Sequence, residues 1–121
     1  MAQAAMLQTD ATVAAPAIDC VHLKQMTFGD RALERELLQL FDRQAELLLA
    51  RMRASEPAVL VTLAHTLKGS AAGVGAGEVA RAAAAAEQAA TRSPADCSAA
   101  LAVLAAAIGA ARAEIAALLA A

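Results

Sequence analysis

The chain has very few aromatic side chains. It has no tryptophan or tyrosine and two phenylalanines among its 121 residues. A core must therefore come from Leu, Ile, Val, Met and Ala, and alanine alone accounts for 38 residues. Six glycines and three prolines leave room for long helices. These features predict an all-α fold, and the length suits one domain with a single modest core.

Strong charge and closely spaced cysteines are also absent. The net charge of −2 gives no basic field for nucleic acid, so we expect no nucleic-acid partner. Cys20 and Cys97 are far apart in the sequence, and Cys97 has no nearby Cys or His at the spacing of a zinc site. The two cysteines could form one disulfide, but we expect a reduced pair, as in cytosolic proteins, with Cys97 buried and no metal bound.

The sequence shows no convincing signal peptide or membrane span. Residues 1–15 have neither a basic start nor a continuous leucine-rich centre. The uncharged run over 97–111 is 15 residues long, and Arg112 and Glu114 follow it. Because a span needs about 20 apolar residues, we expect a soluble, cytoplasmic protein without a membrane partner.

Turn and cap residues divide the chain into a flexible tail over 1–16 and one domain over 17–121. Short connections between the predicted helices favour antiparallel neighbours. We therefore predict an antiparallel up-down four-helix bundle with a short additional N-terminal helix. The predicted helices are a short one over about 18–26 and four longer ones over about 30–54, 57–73, 78–91 and from 94 onward.

Apolar spacing indicates which helix faces form the core. The last helix has the 4-3 spacing of coiled-coil-like packing, which could also serve a partner helix. We expect it to pack internally, because three other amphipathic helices are available. The predicted core faces are Leu33, Leu37, Leu40, Phe41, Leu48 and Met52; Leu60, Leu63, Leu67, Ala71 and Val74; and Cys97, Leu101, Leu104, Ile108, Ala111, Ile115 and Leu118.

The helix that begins at Pro57 carries a histidine away from its core face. At 100° per residue, His65 lies about 160° from the centre of the core stripe. Gly69 costs the helix on the order of 1 kcal/mol relative to alanine. Its missing Cβ indicates that another molecule approaches the helix closely there. The residues within roughly 60° of His65 are Val61, Thr62, Lys68, Gly69 and Ala72.

The segment His65-Thr66-Leu67-Lys68-Gly69-Ser70, followed by Gly75-Ala76, resembles the histidine-containing phosphotransfer (Hpt) domains of bacterial phosphorelays. In that family the phospho-accepting histidine is followed by Leu-Lys-Gly and a small residue, then by a Gly-Ala step. The resemblance covers about residues 18–119 and implies the same four-helix bundle.

The resemblance implies a carrier that accepts a phosphoryl group from a receiver-domain aspartate on His65 Nε2 and passes it to another receiver. Lys68 would stabilise the phosphoryl charge, and Gly69 would allow close approach of the partner. We expect no autonomous kinase activity and a monomer. The carrier would hold no cofactor, because receiver domains in this family supply the Mg²⁺.

The resemblance also suggests residues around the histidine. Val61, Thr62 and Ala72 would form the docking surface for receiver domains. Glu87, in the following helix, is a candidate partner for the second nitrogen of His65. His22 has no second ligand nearby, so we expect a structural or surface role for it.

Three alternative functions match the sequence less well. Dimerisation domains of histidine kinases usually have an acidic residue directly after the histidine, where this chain has Thr66. A helical adaptor without chemistry would tolerate the loss of His65. A metal-binding bundle would need inward Glu and Glu-x-x-His pairs, which the sequence lacks.

Overall fold

The structure is a computed structural model that describes residues 16–121. This part of the chain forms five helices and no strand, which confirms the all-α prediction. The predicted flexible tail lies outside the described residues, apart from Pro16. The helices are α1 (Cys20–Met26), α2 (Arg31–Arg53), α3 (Pro57–Val74), α4 (Gly77–Ala89) and α5 (Pro94–Ala120).

Local capping chemistry explains where the helices begin. Asp19, Asp30 and Ser93 each accept a hydrogen bond from the backbone N–H three residues further on, in each case at 3.1 Å. Pro57 and Pro94 are the first residues of α3 and α5. Proline is favoured there because the N–H it lacks would have no partner within the helix. The helix starts therefore lie close to their predicted positions.

The four long helices form the predicted antiparallel bundle. α3 packs between α2 and α4, and α5 closes the bundle against α2 and α4. α5 is therefore diagonally across the bundle from α3. The short helix α1 packs against α3, so the N-terminal segment adds a fifth helix beside α3.

The core is built from aliphatic side chains around Phe41. All five predicted core residues of α3 are buried, which confirms that face. In α5, Leu104, Ile108, Ala111 and Ile115 are buried as predicted. The prediction of a buried Cys97 is wrong, because the first turn of α5 lies at the end of the bundle and leaves Cys97 half-buried.

The predicted core face of α2 is wrong in part. Leu33 is 37% exposed and Leu40 is 57% exposed, while the buried set is Leu38, Phe41, Ala45, Leu48, Leu49 and Met52. α2 has more leucines than one stripe can bury, so its apolar spacing did not select a single rotation.

Polar contacts between α2 and α5 accompany this rotation of α2. Arg112 Nε donates to Asp42 Oδ1 at 2.8 Å, and Arg112 Nη1 donates to Glu46 Oε2. The pKa of Arg112 is raised above its ordinary value, mainly because Asp42 accepts this hydrogen bond. Turning Asp42 and Glu46 towards α5 leaves Leu40 on the outside of the bundle.

Among the described helices, α5 alone is long and apolar enough to cross a membrane by length and composition. About half of its residues are alanine. Its larger residues Leu104, Ile108 and Ile115 are buried in the bundle. Core helices of soluble proteins meet the same criteria, so this feature is weak evidence for a span.

The turn between α3 and α4 holds the N-terminal segment. Gly75 ends α3 with φ 84°, a left-handed conformation that is typical of glycine at the C-terminus of a helix. The Asp19 N–H donates to the Gly75 carbonyl at 2.8 Å, and a Cβ on Gly75 would meet the Asp19 carbonyl oxygen at 2.8 Å. Gly73, in contrast, lies within α3, and Gly77 begins α4. Both the left-handed turn and the close contact with the segment before α1 therefore require glycine at position 75.

We expect Gly75→Ala to lower the free energy of unfolding by about 1–3 kcal/mol, because alanine would be strained and would collide with Asp19. Gly109→Ala is the matched control, because a Cβ at this helical glycine meets no described atom within 4 Å. It should stabilise the protein by up to about 1 kcal/mol. Urea unfolding measures both values, and equal effects would contradict the role of Gly75.

Candidate functional site

His65 lies in the middle of α3 on the outside of the bundle. Its side chain is 67% exposed, as predicted from the spacing of the core stripe. Leu60, Leu63 and Leu67, on the opposite side of the same helix, are buried. The helix is therefore anchored by its leucines and presents the imidazole to solvent.

The packing of α4 against α3 brings an acidic side chain to the histidine. Ala83 and Ala86 are fully buried, so small side chains allow α4 to approach α3 closely. One turn of helix places Glu87 at the edge of this contact, where Oε2 lies 3.4 Å from His65 Nδ1. The Glu87 side chain is about one quarter exposed. Glu87 is thus adjacent to the nitrogen for which the sequence analysis had suggested it.

The same carboxylate lies beside a cation. Lys68 Nζ is 3.7 Å from Glu87 Oε1, and Lys68 follows His65 by three residues in α3. Residues three apart on a helix are neighbours, so imidazole, ammonium and carboxylate form one cluster. An exposed imidazole can attack an anionic electrophile, and the neighbouring ammonium group can then stabilise the anionic product.

The surface around His65 has very little side-chain volume. A Cβ on Gly69 or on Gly73 would meet no described atom within 4 Å. The packing of the described residues therefore does not require either glycine, which supports the interpretation that Gly69 admits another molecule. Thr62 and Ala72, both predicted docking residues, are exposed on this side of α3.

Val61, the remaining predicted docking residue, has a different environment. It is half-buried and packs against the edge of the hydrophobic core. Its angular position on α3 places it on the same side as Lys68, between His65 and the core. Only part of its side chain is therefore available to a partner.

An apolar groove of about 480 Å³, which was not predicted from the sequence, lies beside the histidine surface. Ser70, Gly73 and Val74 supply the α3 side of this groove, and the remaining lining residues are Met26, Leu37, Leu40, Phe41 and Gln44. The excess leucines of α2 were the available signal, because a leucine that cannot fit the core stripe must lie elsewhere. We call this surface the α2–α3 groove.

The turn between α1 and α2 carries an unusually placed aromatic residue. Phe28 follows Met26 of the α2–α3 groove by two residues and is 94% exposed. Its φ of 55° is a left-handed conformation that bulky residues rarely adopt. Because Phe28 is exposed and its backbone is strained, packing within the described residues does not explain a phenylalanine at this position.

The described residues offer no metal site, since no three His, Cys, Asp or Glu side chains cluster within 16–121. His22 is half-buried, and its Nε2 is shielded from solvent without a hydrogen-bond partner in this part of the chain. It lines a different cavity, with Asp19 and Arg81, and is not part of the His65 cluster.

Comparison with known proteins agrees with this geometry. Residues 31–121 match the family described as the Hpt domain. No curated protein matches the chain. A solved structure from rice, described as a histidine-containing phosphotransfer protein, superposes with a TM-score of 0.77 over 96% of this chain and 87% of that one, at 22% identity. The family match covers most of the described residues, and the chain belongs to the Hpt domain family of phosphorelay proteins.

Proposed function

We propose that this protein is a phosphorelay intermediary that receives a phosphoryl group from a receiver-domain aspartate on His65 and passes it to a second receiver domain. The observation that carries this proposal is the cluster of His65, Glu87 and Lys68 on an exposed helix face. The Hpt family match supports the general chemistry.

The geometry suggests which nitrogen of His65 reacts. A carboxylate near Nδ1 favours the tautomer that carries its proton on Nδ1. Nε2, the ring nitrogen that does not carry this proton, then has a free lone pair. In the transfer step, this lone pair forms the N–P bond while the bond between phosphorus and the aspartyl oxygen breaks. The aspartate leaves as a carboxylate, and Glu87 stabilises the positive charge that develops on the imidazole.

Lys68 has a separate part in this reaction. Before transfer, Glu87 lies within 3.7 Å of its ammonium group. The lysine side chain is 41% exposed and flexible enough to turn towards a phosphoryl group on His65. The dianionic product then gains a neighbouring cation, and return of Lys68 to Glu87 accompanies onward transfer.

Docking of a receiver domain uses the small-residue surface around Gly69 together with the α2–α3 groove. Gly73 belongs to both surfaces, so a partner that covers His65 also reaches the groove. None of the described residues that line the groove is charged. An apolar partner surface next to the phospho-aspartate therefore complements it.

The proposal includes several properties of the protein as a whole. It acts as a carrier without kinase activity of its own, works as a monomer, and obtains the Mg²⁺ of the reaction from its receiver partners. We also propose a bacterial, cytoplasmic setting. The free thiols of Cys20 and Cys97 support a reducing compartment.

Phosphoryl transfer from a radiolabelled phospho-receiver tests the proposal directly. We expect label on the wild-type protein that is lost in acid and retained in alkali, and no label on His65→Gln. His22→Gln is the matched control and should be labelled normally. A folded wild-type protein that takes no label from several receivers would support the adaptor function instead.

The role of Glu87 predicts a tautomer preference. ¹⁵N chemical shifts of the histidines should show His65 mainly with its proton on Nδ1, and Glu87→Ala should lower that fraction and slow transfer. Glu78→Ala, which removes an exposed carboxylate paired with Arg81 in the same helix, should change neither property. An unchanged His65 tautomer in Glu87→Ala would refute this role.

The small-residue surface predicts a steric effect. Gly69→Leu should reduce the transfer rate at least about tenfold while leaving the helical content nearly intact, because the new side chain projects outward into the docking site. Gly109→Leu makes the same change on α5, across the bundle from α3, and should transfer normally. Equal transfer rates in both variants would remove the argument for close approach at Gly69.

A further inference from the structure

A cavity lies at the end of the bundle where α2 connects to α3 and α4 connects to α5. It has a volume of about 770 Å³, within the usual range of small-molecule sites. None of the residues predicted for the His65 site lines it. The proposed phosphotransfer at His65 therefore does not explain why this cavity is present. We call it the bundle-end cavity.

The inner part of the bundle-end cavity is apolar. Met52 and Leu60, which are 1% and 2% exposed, form part of its lining, so the cavity reaches the hydrophobic core. Leu101 and Cys97 line the α5 side and are half-buried. An apolar group that entered here would cover surface that the bundle leaves partly open to water.

The charged residues that line the cavity have one sign. They are Arg53, from the end of α2, and Arg92, from the connection between α4 and α5. Neither forms an ion pair with another residue of the range 16–121. The carboxylates closest to the lining in sequence, Glu56 and Asp96, are not part of it.

Backbone groups add to this positive potential. α3 and α5 both begin at the cavity, with Pro57 and Pro94 in its lining. The N-terminus of a helix carries partial positive charge and unpaired N–H groups. Ser93 caps α5, but α3 has no side-chain cap. Two arginines and an uncapped helix start therefore surround an apolar interior.

We propose that the bundle-end cavity binds a small anionic amphiphile, a molecule with a carboxylate or phosphate head and a hydrocarbon tail. The head lies between Arg53 and Arg92, where it also faces the first turn of α3. The tail lies against Leu60, Leu101 and Cys97. A simple anion would leave the apolar lining uncovered, and an uncharged hydrocarbon would leave both arginines without a counter-charge.

Cysteine alkylation provides a test with an internal control in the full chain. Cys97 lines the cavity, whereas Cys20 is exposed at the start of α1 and lines a different cavity. Mass spectrometry would follow the alkylation of each thiol in the presence of decanoate, decyl phosphate, decanol or inorganic phosphate. We expect the two amphiphiles to slow alkylation of Cys97 at least about fivefold and to leave Cys20 unchanged. A difference between decanoate and decyl phosphate would identify the preferred head group.

The four probes separate the proposal from simpler ones. Protection of Cys97 by decanol at the same concentrations as decanoate would show an apolar cavity without anion selection and would overturn the proposal. Equal protection by inorganic phosphate would also overturn it, because the tail would then contribute nothing. Absence of protection by every probe would show that the cavity is not a ligand site.

Two variants test the arginines. Arg53→Gln combined with Arg92→Gln should raise the decanoate concentration for half-protection at least about tenfold, which corresponds to about 1.4 kcal/mol. Arg43→Gln combined with Arg81→Gln makes the same charge change away from the cavity and should have little effect. Equal protection in both pairs would overturn the proposed head-group site, and phosphotransfer plays no part in either measurement.

Discussion

Close packing of α3 against α4 through alanine is the constraint on which the His65 site depends. Ala64 and Ala71 of α3 and Ala83 and Ala86 of α4 have no exposed surface. Such small side chains bring two helices together without large side chains between them. The distance of 3.4 Å between Glu87 and His65 requires this approach, because a wider gap would leave the carboxylate out of reach of the imidazole.

The helix interfaces of the bundle differ in how much apolar surface they bury. Alanine buries little area, so the interface of α3 with α4 contributes modestly to the free energy of folding for each residue. Larger side chains such as Phe41, Met52 and Leu104 fill the rest of the core, and Arg112 links α5 to α2 at its edge. α3 contributes Leu60, Leu63 and Leu67 to the same core, so the side chains that hold it in place lie on the face opposite His65.

The two ends of α3 have different structural surroundings. Its C-terminus uses the left-handed Gly75 to turn towards α4 and to receive the backbone of Asp19, which places α1 beside the docking surface. Its N-terminus has no side-chain cap and opens on the bundle-end cavity. His65 lies between these ends, so the proposed docking face and the proposed ligand cavity are separate surfaces of one helix.

Local chemistry was sufficient to predict the helix starts at Asp30, Pro57 and Pro94 and the outward position of His65, because caps, proline and a clear apolar stripe act within a few residues. The rotation of α2 was not predictable from its own sequence. It has leucines on several faces, and only the positions of α3 and α5 select which of them are buried. The distance from Glu87 to His65, the α2–α3 groove and the bundle-end cavity likewise join residues far apart in the chain. The sequence determined the helices and the outward position of His65; tertiary packing decided which side chains meet, because contact across helices depends on rotation and spacing that no single helix encodes.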